Sequence, residues 1–262
     1  MRRALLTILG VLAAAGCGKQ TADEWIKEKM HPPTPAQRIL SLESPRADVR
    51  REAVLAIEAR PVSYRSPSVI KVLCLLTRES NRADVPESDP MVRAAACRVL
   101  GTMKSEDGVA ALARAVEKDS SKFVRMDAAL ALGRLGSEKG LPALAGAFEQ
   151  DKDTDVRIAV AEALRYLKSK EAAAVLVGGL SSPDIGIARK CWESLRYMTG
   201  QSLPCQADLW TAYLADNENA FAGYGKPPAM PKGPSQRPEF TQDLGGFING
   251  LFGTDPGEAE LQ

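Results

Sequence analysis

One short pattern recurs five times along this chain, and no other feature restricts its fold as strongly. Val49-Arg50, Val92-Arg93, Val124-Arg125, Val156-Arg157 and a degenerate Ile187-Ala188 each open a run in which apolar or small residues return four, seven and eight places later and, in all but the first run, eleven places later. In the third run these are Ala128, Ala131, Leu132 and Leu135. In the fourth they are Val160, Ala163, Leu164 and Leu167, and in the fifth Cys191, Ser194, Leu195 and Met198. At the angular period of an α-helix those positions make one stripe along one face. The leaders stand 43, 32, 32 and 31 residues apart, an interval that suits stacked helix pairs.

Ahead of the later leaders lies a second apolar stretch bounded by breakers, at 67–76, 108–116, 140–148 and 171–180. Asp89, Asp155 and Asp184 stand at N-cap positions, and Gly136 and Gly200 where helices stop. The extra residues between the first two leaders fall in a loop at 78–87. Aromatic residues are only 5% of the chain, so the cores must be built mainly from small and aliphatic side chains; Ala, abundant here, favours helix and close helix packing. Trp210, Tyr213 and Leu214 then suit a terminal helix that caps the last apolar face.

A helix pair every 31 or 32 residues, with Val-Arg opening the second helix, resembles the HEAT repeat. The nearest variety is the short, Ala-rich form named after phycobilisome lyases. The resemblance covers residues 35–215 and implies an all-α fold: a right-handed α-solenoid of about five helix pairs, with the second helices lining the concave face. Such repeats serve many roles, so the fold does not by itself assign one.

The N-terminus points to the cell envelope. Arg2 and Arg3 precede a run at 4–15 whose single polar residue is Thr7, too short for a permanent membrane span. It ends in Ala14-Ala15-Gly16-Cys17, which looks like a lipobox. The expectation is a signal peptide over 1–16, lipidation of Cys17, and a tether at 17–34 whose short helix opens at the capping box Thr21 to Glu24. Lipid chains on Cys17 would anchor the protein to the inner or outer membrane, facing the periplasm or exterior. Gly16-Cys17-Gly18-Lys19 is not a phosphate loop, because Ala13 replaces the first glycine and Gln20 the metal-binding hydroxyl residue.

Little suggests catalysis. The single histidine, His31, lies beside Pro32-Pro33, so no histidine-based triad or metal site can be assembled. The chain carries a formal charge of +1, which gives no electrostatic reason to expect nucleic acid. We therefore expect no enzyme, no cofactor, no metal and no small-molecule substrate. Cys74, Cys97, Cys191 and Cys205 match no zinc spacing. They read either as buried thiols or as the pairs Cys191–Cys205 and Cys74–Cys97. The recurrent Arg50, Arg93, Arg125 and Arg157, taken with Asp48, Asp89 and Asp155, suggest an inter-repeat hydrogen-bond ladder.

Candidate partner-binding residues lie opposite the buried stripe, two, six and nine places after each leader. They are Met126, Leu130 and Gly133, then Ile158, Glu162 and Arg165, then Arg189, Glu193 and Arg196, with Tyr166 and Tyr197 at the same edge. Apolar residues passing into Arg and Tyr have the composition of an interface, and the alternative is that Met126, Leu130 and Ile158 are core contacts. In the tail, at 216–262, Gly and Pro supply 14 of 47 residues, which favours disorder. Within it Leu244, Phe247, Ile248, Leu251 and Phe252 form an amphipathic docking segment at 244–252. The function expected is a membrane-tethered adaptor that binds a protein partner of unknown identity through the concave face. The alternatives are a bilin-lyase-like enzyme or lyase subunit, which the resemblance implies, and a nucleic-acid-binding HEAT-like protein.

Overall fold

A computed structural model describes residues 35–59, 64, 66–79 and 87–226. Cys17, the signal and tether, and the docking-segment residues Leu244, Phe247, Ile248, Leu251 and Phe252 lie outside the described residues.

The described chain is helical throughout. Its elements are α1 (Pro35–Ser41), α2 (Ala47–Glu58), α3 (Pro67–Leu76), α4 (Pro90–Met103), α5 (Val109–Lys118), α6 (Lys122–Leu135), α7 (Leu141–Gln150), α8 (Thr154–Leu164), α9 (Lys170–Gly179), α10 (Ile185–Thr199) and α11 (Ala207–Asp216). Paired in order from α1 and α2, they form five helix pairs capped by α11. The second helices, α2 to α10, pack on one another as an inner layer, and the first helices form a sparser outer layer.

Local chemistry explains most boundaries. Ser66 caps α3 by accepting the Val69 N–H, and Pro67 then opens the helix where no N–H is needed. Asp89 and Asp184 cap α4 and α10 as their positions predict. Asp155 does not cap α8. Asp153 takes that place and accepts the Asp155 N–H, leaving Asp155 in the first turn, where its charge suits the helix dipole. Gly136 and Gly200 end α6 and α10 at φ of 68° and 70°.

The leader stripes form the core. Val92, Val124, Val156 and Ile187 are all fully buried, as are Leu132, Leu164 and Leu195. Between inner helices the backbones nearly touch. A Cβ on Gly101 would stand 2.8 Å from the Ala131 Cα, and Gly133 meets Ala163 in the same way. At the C-terminal end Trp210 is fully buried in α11, its Nε1 donating to Pro204 O at 2.8 Å. Trp192 of α10 donates to Leu203 O at 2.7 Å, which clamps the connecting loop between the two helices. Ordered turns continue to Lys226, with Ala220 buried and accepting the Tyr213 hydroxyl, so the packed unit extends beyond 216. The four described cysteines are free thiols.

The arginine ladder is present, but its partners differ from those expected. Arg50 pairs with Glu87, Arg93 with Asp119 and Arg125 with Asp151, each through both Nε and Nη2. These carboxylates each lie five residues before a leader. Each also accepts the backbone N–H two residues on, from Asp89, Ser121 and Asp153 respectively. One side chain thus closes a turn and bonds the neighbouring pair. Asp48 is instead taken by Arg46, Asp89 caps α4, and Asp155 receives Lys122. The expected carboxylates fail as rungs because they sit within or beside the helix start: Asp48 and Asp89 are taken by local partners, and Asp155 is taken by Lys122 of the preceding pair. Arg157 makes no ion pair among the described residues.

Candidate partner-binding face

The solvent side of the inner layer carries alternating charge. Arg98 of α4 lies between Glu58 of α2 and Asp127 of α6, at 3.6 and 2.6 Å. Farther along, Glu162 of α8 meets Arg165 at 3.0 Å and Lys190 of α10 at 3.8 Å, and Lys190 reaches Glu193 at 3.3 Å. Burial alone would raise the Glu193 carboxyl, but bonds from Arg189 and Lys190 outweigh it and hold the group below the usual carboxylate range.

Of the apolar residues predicted here, Met126, Leu130 and Ile158 are all half-buried. Met126 and Ile158 pack against the core, and Ile158 reaches the first turn of α10 beside Gly186. Gly133 offers no surface, because Ala163 covers it. The polar part of the prediction divides in two. Arg189 is exposed and bonds Glu193 at 2.9 Å. Arg165, Tyr166 and Tyr197 are brought into one cluster.

That cluster forms where α8 ends. The Arg165 guanidinium lies 4.8 Å from the ring centres of both Tyr166 and Tyr197, and its Nη2 donates to Glu162 Oε1 and to the Tyr166 hydroxyl at 3.0 and 2.7 Å. The two rings and a single bond to the Glu162 carboxylate together hold the cation in place. Arg196 makes a separate stack, 4.5 Å from the Trp192 ring. The Nε atoms of Arg165 and Arg196 are buried without a hydrogen-bond partner among the described residues.

Sequence reasoning missed the other half of this edge. Tyr224 packs edge-on against Tyr197 at 5.3 Å, Lys168 stands 4.1 Å above the Tyr224 ring, and the Gly225 N–H donates to Tyr197 O at 2.9 Å. Burial, together with the nearby Tyr197, raises the Tyr224 phenol. Gly223 lies directly on Thr199 and Gly200, where no side chain fits. A Gly-rich tail carries no periodic signal that would place Tyr224 there. Met91, Phe123 and Ile185, in the first turns of α4, α6 and α10, are also exposed, at positions outside those predicted for the face. Among the described residues no group of His, Cys, Asp or Glu could hold a metal ion.

Comparison with known proteins agrees with the repeats. Residues 85–165 match the family model for HEAT repeats. No curated protein matches the chain. Among solved structures, the chain is similar to one from the complex of CpcE and CpcF of phycocyanin lyase from Nostoc sp. PCC7120, at 18% identity, covering 70% of this chain and 79% of that one, with a TM-score of 0.40. It is also similar to an engineered protein at 20% identity, covering 70% and 85%, with a TM-score of 0.47. The first of these corrects one expectation. A lyase complex contains a chain of similar architecture, so the reading of this chain as no enzyme is withdrawn.

Proposed function

We propose that this HEAT-repeat chain is a lipid-tethered adaptor of the cell envelope, held by Cys17 and binding a protein partner on its inner-layer face near α8 and α10. The arrangement of Arg165 and Arg196 carries this reading. Both guanidiniums are held against aromatic rings, and each buries an Nε that no described residue satisfies. Arg and aromatic residues fixed in place contribute strongly to interfaces, because little side-chain entropy remains to be lost on binding. Arg189 and the half-buried Leu130 and Ile158 extend the same face.

Two measurements test the two parts. Native protein should incorporate radioactive palmitate and Cys17→Ser should not; equal labelling would end the tether proposal. A photo-crosslinking residue at position 189 should yield a discrete adduct in intact cells, lost in an Arg165→Ala, Arg196→Ala double variant, whereas one at Lys152 should yield none. Adducts indifferent to the double variant would remove the partner from this face.

A further inference from the structure

The fourth rung of the ladder lacks its acid. Glu87, Asp119 and Asp151 stand five places before Val92, Val124 and Val156; the residue five places before Ile187 is Ser182. Ser182 keeps half of the role, since its hydroxyl accepts the Asp184 N–H as the acids accept theirs. It cannot supply the other half, because a hydroxyl carries no charge and offers no pair of oxygens to an arginine fork. Arg157, the arginine due to meet it, instead donates its Nε to Phe148 O at 2.7 Å and lies 5.6 Å from the Phe148 ring. No carboxylate is within ion-pair distance of it among the described residues. Asp151, nearby, turns both oxygens to Arg125.

Space remains where the acid would be. A cleft of about 420 Å³ opens between the ends of α7 and α9, lined by Arg157, Phe148, Gly178, Ser181, Ser182 and Glu149 among others. Gly178 has nothing within 4 Å of the place its Cβ would take, so the wall is open on that side. Glu149 borders the cleft but is exposed, and it makes no ion pair among the described residues.

We propose that this cleft is a carboxylate-binding site in which Arg157 receives, from outside the repeat stack, the acid that each earlier rung supplies from within. The ligand's carboxylate takes the place that Asp151 holds on Arg125, with one oxygen on Nε and one on Nη2, and the Ser182 hydroxyl beside it. Forming that pair releases Arg157 from Phe148 O. The site differs from the partner-binding face proposed above in both residues and position, and does not depend on it.

The test follows the Arg157 side-chain Nε–H signal by NMR in the full-length chain, assigned by its loss in Arg157→Lys. Sodium acetate should shift it saturably in the millimolar range, with sodium chloride at equal ionic strength leaving it in place. The Arg125 signal, already on Asp151, should not move. An N-acetyl-aspartyl amide probe distinguishes the source: saturation by both probes assigns the site to an acidic side chain, and saturation by acetate alone assigns it to small free acids. Ser182→Asp should move the Arg157 signal toward that of Arg125 without ligand and weaken acetate binding at least tenfold. A native Arg157 signal that drifts linearly with acetate, or moves equally with chloride, overturns the proposal whether or not the variant folds.

Discussion

Gly133 of α6 lies against Ala163 of α8 so closely that a Cβ on the glycine would stand 2.7 Å from the Ala163 Cα. The contact involves backbone on both sides, so no side-chain rotation can relieve it. Gly133→Ala gains about 1 kcal/mol of helix propensity and meets an overpacking cost of roughly 1–3 kcal/mol. We expect net destabilisation in denaturant unfolding. Gly146→Ala provides the contrast: that site, inside α7, has nothing within 4 Å, and the variant should be stabilised by about 0.5–1 kcal/mol. Equal responses at the two positions would refute the close contact.

The Arg93–Asp119 pair is buried on both sides, with side chains 2% and 1% exposed. Removing Asp119 leaves the buried Arg93 with only the more distant Glu79, at 3.8 Å, and Asp119→Ala should cost roughly 3 kcal/mol. Replacing both residues with apolar ones should recover much of that loss. The exposed Arg46–Asp48 pair, disrupted in the same way, should leave the unfolding midpoint unchanged.

Acid should weaken the ladder in a defined direction. Burial alone would raise the Asp151 carboxyl, but the Arg125 guanidinium and the Asp153 N–H outweigh it and hold the group below the usual range. A depressed folded pKa gives stability that is fully present above the unfolded value of about 3.9 and is lost as pH falls through the folded one. Thermal unfolding followed from neutral pH downward should therefore show a steep loss in this region. Asp151→Asn, less stable at neutral pH, should show a shallower one; parallel curves would exclude this contribution.

Thiol chemistry reports packing at the C-terminal end. Burial pushes the Cys191 thiol up to about 12, and it raises Cys97 as well, whereas Cys205 is exposed. Iodoacetamide at mildly alkaline pH should alkylate Cys205 in the folded protein and reach Cys97 and Cys191 only after unfolding. Early modification of Cys191 would mean that α10 opens away from Phe148 and Gly179.

The repeats were legible because their signal is local and periodic. Val124, Ala128, Ala131 and Leu132 announce a buried stripe within nine residues, and the structure buries all four. The rungs were less legible. Arg93 and Asp119 are 26 residues apart, and Asp119 ends one helix rather than starting the next, so a search for helix starts favours Asp89 instead. The regularity that identifies the acids, five places before each leader, was present in the sequence but carries no meaning until the arginines are seen to reach them. The predicted face was readable in register but not in depth. Gly133 occupies an outward position by count, and only the approach of α8 shows that nothing of it remains exposed.

Nine places after the leader, the second and third pairs have Gly101 and Gly133, while the fourth and fifth have Arg165 and Arg196. The two glycines let neighbouring backbones touch, and the two arginines keep a bulky group in the same register. The inner helices therefore do not all meet in the same way: backbone meets backbone at Gly101–Ala131 and Gly133–Ala163, whereas Arg165 stands against the Tyr197 ring of α10. A methyl group added at Gly101 must press on α6, and α6 in turn carries α8, so the cost of the misfit is shared by helices that the substituted residue never touches.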